Sequence, residues 1–210
     1  GREHHHAGSE SRTTTGGIDT RVKICGITSV GDAIMAQEAG ADMIGVIAFS
    51  PSPRCIEPDK IREIFDAVPT LFQCCVSHGP SPTEMAALCD LAPDAIQVPP
   101  PIPIPASCTA RVFRSIRPGD RIPDDADVLV IDASHGSGRQ YDSTYALSVV
   151  QSARVPVFLA GGLTPDNVRA AIRSVHPAGV DVATGVEYAP GRKAREKVRA
   201  FIQRAKEVRE

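Results

Sequence analysis

The sequence predicts one (β/α)8 barrel of the α/β class, the TIM-barrel architecture, over residues 21–210. Three observations carry that expectation. From residue 22 onward, short β-branched or apolar runs alternate with stretches of helical periodicity. There are eight such runs, and strands that alternate with helices make a parallel sheet through right-handed crossovers, which closes at eight units. The G-x-G-x-x-G turn of a dinucleotide-binding open sheet, the next-best architecture, is missing from the sequence.

The strands are expected at 22–27 (VKICGI), 43–49 (MIGVIAF), 70–77 (TLFQCCVS), 95–98 (AIQV), 110–116 (ARVFRSI), 127–132 (DVLVID), 155–161 (VPVFLAG) and 179–184 (GVDVAT). Helical patterns fall at about 29–39, 59–67, 82–90, 143–152, 165–174 and 191–208. The last sets Ala194, Val198, Phe201, Ile202, Ala205 and Val208 on one stripe, which makes it core-facing. Two crossovers depart from the pattern. Between the fourth and fifth strands lies PPPIPIPASCT, with five prolines in residues 99–105. Proline lacks a donor N–H and is barred from a helix interior, so an extended segment replaces the fourth helix. Between the fifth and sixth strands, RPGDRIPDDA leaves room for one helical turn at most. The barrel is thin on that side, and apolar surface left there would suit a subunit contact.

A chain of 210 residues is long enough for one domain with a sizeable core and a little short for two. The net charge of −2, without a basic block, argues against nucleic acid and anionic membrane, both of which need a concentrated cationic surface. No apolar run approaches the roughly 18 residues of a membrane-spanning helix. Cysteines stand at 25, 55, 74, 75, 89 and 108, with no C-x-x-C pair and no zinc spacing. No secretory signal opens the chain, so they are expected as reduced thiols in a cytoplasmic protein, mostly packed as small hydrophobes. Residues 1–20, GREHHHAGSESRTTTGGIDT, read as a disordered arm or an expression remnant, and His4, His5 and His6 on it as incidental. No metal site is expected, and the chain is expected as a monomer or homodimer.

Barrel enzymes build their sites at the carboxyl ends of the strands. Those ends carry Cys25, Gly26 and Thr28; Arg54 in FSPSPRC; His78 in SHG; Gln97; Asp132 followed by ASHGSGRQYD; AGG; and ATGVE. Gly161-Gly162 and Thr184-Gly185 suggest a phosphate site, because glycines let backbone N–H groups approach an anion and a helix start adds about half a positive charge. Gly136 and Gly138 would extend that cradle or simply keep their loop mobile. Side chains alternate along a strand, so Lys23 and Cys25 share a face. With Cys25 at the barrel mouth, Lys23 lies one layer lower and requires a buried carboxylate, for which Asp181 on the adjoining eighth strand is the candidate. Cys25 and Asp132, on strands that are not neighbours, can face each other across a substrate as an acid/base pair. The glycine after Cys25 leaves room for that substrate.

KICGIT, GADMIGV, SPRCI, LAGGLTPDNV and GVDVATGVEYAPGRK together resemble the phosphoribosylanthranilate isomerases of tryptophan biosynthesis, from residue 22 to about 205. The resemblance implies an Amadori rearrangement of N-(5-phosphoribosyl)anthranilate to 1-(2-carboxyphenylamino)-1-deoxyribulose 5-phosphate, with no cofactor. It implies Asp132 as the acid that protonates the ring oxygen and Cys25 as the base that takes the C2 proton. It implies Arg54 as the bidentate partner of the anthranilate carboxylate. The chain departs from the family's pattern in three places. Gln97-Val98-Pro99-Pro100 stands where Q-L-H-G is usual, so a histidine is gone. Ala183 and Thr184 replace two serines, and Lys193-Ala194 replaces K-D. His135 is a candidate stand-in for the lost histidine, though its position suits an ordinary loop residue. Two other readings compete. The histidine-pathway isomerase on the same fold uses an aspartate where this chain has Cys25. A diverged paralogue would bind a phosphorylated ligand without turnover.

Overall fold

Eight parallel strands close on themselves in chain order: β1 (Arg21–Ile24), β2 (Met43–Ile47), β3 (Phe72–Val76), β4 (Ala95–Val98), β5 (Arg111–Ile116), β6 (Val128–Asp132), β7 (Val157–Ala160) and β8 (Gly179–Val182). The structure is a computed structural model and describes residues 19–134 and 143–208. Six helices pack outside: α1 (Val30–Ala39), α2 (Pro58–Ala67), α3 (Pro82–Asp90), α4 (Ser143–Ser152), α5 (Val168–Val175) and α6 (Arg195–Glu207). Each expected strand forms, and closure pairs β1 with β8 in a register that sets Lys23 opposite Asp181.

The strand period sorts side chains into two cores. Val22 and Ile24 of β1 face outward into the shell between strands and helices, with Ile44, Ile96, Leu129 and Val180. Cys25, Cys74, Ala95, Phe113, Val130 and Phe158 fill the barrel interior. Phe113 stacks on Phe72 at 5.8 Å and meets Phe158 at 6.3 Å. A Cβ on Gly179 would lie 2.6 Å from the Phe158 ring, so that position must be glycine for the ring to fit.

No helix forms between β4 and β5 or between β5 and β6. The proline segment covers its side of the barrel by packing Ile102, Ile104 and Cys108 on the shell. Arg114, on β5 and only 2% exposed, ties the two helix-free connections together. Its Nη1 donates to the carbonyls of Pro99 (3.3 Å) and Ile102 (2.6 Å), and its Nε and Nη2 grip Asp125 at 3.2 and 2.7 Å. A buried arginine with every bond directed this way does the work of the missing helices.

Two expected helices start later than their patterns suggest. The 165–174 pattern becomes helical only at Val168, because Asn167 spends its side chain on the loop: Oδ1 accepts from the Thr164 N–H (2.7 Å) and Nδ2 donates to the Gly162 carbonyl (2.8 Å). The 191–208 pattern begins at Arg195, because residues before it form a hairpin of β9 (Glu187–Ala189) and β10 (Arg192–Lys193). Residues 1–18, with the three adjacent histidines, lie outside the described residues, as do His135, Gly136 and Gly138.

Candidate active site

Lys23 is fully buried in the barrel interior, and its ammonium sits 3.3 Å from Asp181 and 2.9 Å from Gln97 Oε1. Burial alone would push the lysine pKa down; the Asp181 carboxylate and the neighbouring thiols outweigh it, and the net shift is upward. Asp181 Oδ1 is buried and has no hydrogen-bond partner among the described residues. These three side chains form a polar floor one layer below Cys25.

Cys25 is 8% exposed and lines a cavity of about 760 Å³ at the carboxyl ends of the strands. Its backbone N–H extends the β1–β8 ladder to the Val182 carbonyl at 2.9 Å. Gly45 on β2 makes room for the sulfur, since a Cβ there would lie 2.7 Å from Sγ. Burial pushes the thiol pKa above its ordinary value, and Lys23 and Lys193 only partly offset it. Asp132 enters the same cavity from β6. Its Oδ1 accepts from the Ser134 N–H (3.0 Å) and hydroxyl (2.6 Å), which fixes the carboxyl against its loop. Gly161 closes over it: φ is +92°, and a Cβ would lie 2.3 Å from Oδ1.

Gly161, Gly162, Thr184 and Gly185 line the cavity rim beside Asp132. The N–H groups of Gly162 and Gly185 go to no other described residue. The α5 helix starts six residues past Gly162, so this rim consists of loop amides and a short 3-10 turn at Thr184–Val186. A Cβ on Gly185 would lie 1.9 Å from the Leu163 carbonyl, so glycine is what lets the two loops touch.

Arg54 does not line this cavity. Its stem lies over Gly26, where a Cβ would sit 2.7 Å from Arg54 Cδ. The room left by that glycine is therefore taken by arginine. The guanidinium grips Glu187 through Nε (3.0 and 3.2 Å) and Nη2 (2.6 Å), and Nη2 also donates to Thr184 Oγ1 at 3.2 Å. Glu187 further accepts from Lys193 Nζ (3.1 Å) and the Gly191 N–H (3.1 Å). Lys193 Nζ donates in turn to the carbonyls of Cys25 (2.6 Å) and Ala183 (3.2 Å), so this buried hub clamps β1 to the loop after β8. Burial would raise the Glu187 pKa, but Arg54 and Lys193 more than reverse it and hold it below the ordinary value. The sequence reading missed the hub; its signal was two opposite charges six residues apart in GVEYAPGRK. Among the described residues no cluster of three or more histidine, cysteine or acidic side chains could hold a metal.

A thiol and a carboxyl lining one cavity with a glycine-bearing rim, at the carboxyl end of a closed parallel barrel, lie where (β/α)8 enzymes build their sites. Residues 22–204 match the family N-(5'-phosphoribosyl)anthranilate (PRA) isomerase, and the chain belongs to it. A relative from Methanoregula boonei, an N-(5'-phosphoribosyl)anthranilate isomerase, is 46% identical over 190 residues, covering 90% of this chain and 97% of its own. The crystal structure of phosphoribosyl anthranilate isomerase from Thermotoga maritima superposes with a TM-score of 0.77 at 30% identity, covering 90% of this chain and all (100%) of that one. A second structure of the isomerase, in complex with reduced 1-(o-carboxyphenylamino)-1-deoxyribulose 5-phosphate, gives 0.75 at 30% identity with the same coverage, 90% and 100%.

Proposed function

We infer that this chain isomerises N-(5'-phosphoribosyl)anthranilate to 1-(2-carboxyphenylamino)-1-deoxyribulose 5-phosphate, with Asp132 as acid and Cys25 as base. The observation that carries the assignment of roles is that these two groups, from β1 and β6, line one cavity whose rim beside Asp132 is made of loop glycines. The substrate's phosphate sits on that rim, against Gly161, Gly162, Thr184 and Gly185. The sugar then lies between carboxyl and thiol. The acid gives its proton to the ring oxygen, the C1–O bond breaks, and the nitrogen lone pair forms a cationic Schiff base. Cys25 removes the C2 proton, and those electrons form the C1–C2 double bond of an enolamine. Tautomerisation to the ketone returns a proton to C1, so no atom is gained or lost.

Burial keeps the Cys25 thiol protonated at neutral pH in the ligand-free protein. The Schiff-base cation, brought against the sulfur, favours the thiolate at the step that needs it. Among the described residues no helix is long and apolar enough to cross a membrane.

The test is turnover of phosphoribosylanthranilate generated in situ, followed by loss of its fluorescence. Cys25→Ala and Asp132→Asn should each lower the rate by at least about 100-fold, the scale of a lost acid or base. Full activity in Cys25→Ala would remove the thiol from the mechanism. A wild-type protein that binds the product analogue without turnover would favour a diverged binding paralogue.

A further inference from the structure

Cys25 sits between two groups of charges, and the two differ in net charge. Below it, the Lys23 ammonium is matched by Asp181 at 3.3 Å, so that floor is neutral. Beside it, Glu187 is shared by two cations, Arg54 at 2.6 Å and Lys193 at 3.1 Å. Among the described residues, no other carboxylate takes a side-chain bond from either cation, so this hub carries one positive charge in excess.

Lys193 is the member of the hub that reaches the thiol's own residue. Its side chain is fully buried. Nζ has three partners, and all of them are acceptors: the carbonyls of Cys25 (2.6 Å) and Ala183 (3.2 Å), and Glu187 Oε2 (3.1 Å). Three acceptors call for three N–H donors, which an ammonium has and a neutral amine lacks. The backbone of Lys193 is pinned as well, since its N–H donates to Asp32 Oδ2 on α1 at 3.0 Å. The charge is therefore fixed in place, in surroundings that screen it weakly. The other groups around the thiol do not supply such a charge. Lys23 is cancelled by Asp181, and Cys74 on β3 is a buried neutral thiol, pushed up to about 12 by burial. Asp132, which lines the cavity from β6, offers no positive charge. The fork of Arg54 is committed to Glu187.

We propose that Lys193 is a positioning residue for the base: it fixes the Cys25 backbone against the loop after β8 and holds a positive charge beside the thiol that favours the thiolate. This rests on the reading of Cys25 as base. Burial raises the thiol pKa, and Lys193 works against that rise together with Lys23. Without the Lys193 charge, Arg54 and Glu187 remain as a neutral pair, and proton loss from Cys25 becomes harder.

Alkylation of Cys25 by iodoacetamide in the ligand-free protein, read by mass spectrometry on the Cys25 peptide, tests this without substrate. At pH 8, Lys193→Met should slow alkylation by about 3- to 10-fold. One pKa unit removes about tenfold of the thiolate, and the more basic sulfur regains part of that in nucleophilicity. Lys193→Arg, which restores the charge, should return to within about twofold of wild type. Glu187→Gln breaks the same hub but keeps its positive charge, so its rate should hold or rise. Two results overturn the proposal: Lys193→Met alkylating at or above the wild-type rate, or Glu187→Gln slowing alkylation as much as Lys193→Met, the mark of a purely structural brace. Should Lys193→Met fail to fold by circular dichroism, the Glu187→Gln rate decides by the same criterion. In turnover, Lys193→Met should lower kcat by about tenfold at pH 7, leave KM within about twofold, and recover as pH rises. A wild type that shows no turnover while the variants keep this alkylation pattern would sink the isomerase reading and leave the role of Lys193 standing.

Discussion

Replacing Lys23 with methionine keeps the length of the side chain and removes its charge. The ammonium is fully buried, 3.3 Å from Asp181. At that separation and an effective dielectric of about 20, the attraction is about 5 kcal/mol, set against several kcal/mol of desolvation per ion. The substitution leaves the Asp181 carboxyl buried without its cation and Gln97 Oε1 without its donor. The expected loss is about 3–5 kcal/mol of unfolding free energy, the scale of a broken buried pair. Urea unfolding followed by circular dichroism measures it. A domain with about 5–15 kcal/mol in total survives such a loss narrowly, so Asp181→Asn, which keeps a polar partner, provides a milder variant. The double variant Lys23→Met/Asp181→Leu should recover at least about 2 kcal/mol relative to Lys23→Met, because an apolar pair leaves no unpaired charge. The sign with pH also follows. A folded pKa above the ordinary lysine value means the pair contributes fully below about pH 10, and the contribution is lost as pH rises toward the folded pKa. A loss below about 1 kcal/mol in Lys23→Met, or no recovery in the double variant, would refute the buried pair.

Two other outcomes follow. Gly161→Ala places a Cβ where Asp132 Oδ1 lies and forces alanine to φ +92°, so turnover should fall by about 100-fold while unfolding free energy drops by about 1–2 kcal/mol; near-normal turnover would show that Asp132 is not held as described. The Cys25 thiol, pushed up by burial, should alkylate with iodoacetamide at a rate that still climbs at pH 9.5 in the ligand-free protein, read by mass spectrometry; a plateau at or below about pH 8.5, the ordinary thiol value, contradicts its burial.

The strands were legible because a two-residue period and a count of eight leave little freedom, and closure then puts Lys23 beside Asp181. The strand ends were less so: β1 stops at Ile24 because Gly26 takes φ +74°, although the pattern runs on to Ile27. Gly26 itself was misread. Whether the space over a glycine holds a ligand or a side chain depends on a residue 28 positions away, Arg54, and no local pattern carries that. Likewise Glu187 and Lys193 are charged residues in a hairpin, a setting that ordinarily means solvent. Their burial follows only from where α6 and β1 converge. The helix expected from residue 165 starts only at Val168, because the Asn167 amide just before it is used in closing the rim loop rather than in capping.

The loss of two helices without loss of the site has a physical reason. The ladder β4–β5–β6 remains unbroken, with four residue pairs on each side of β5, so the strand ends on which the cavity depends do not move. The missing cover is supplied from outside by Arg114, whose bonds go to the proline segment and Asp125, away from the cavity. Arg114 faces out of the barrel, while Arg117, just past the end of β5, lines the cavity mouth. The proline run has one consequence inside. It fixes Pro99 at the end of β4, where a histidine is usual in the family pattern, and proline can neither donate a hydrogen bond nor carry charge.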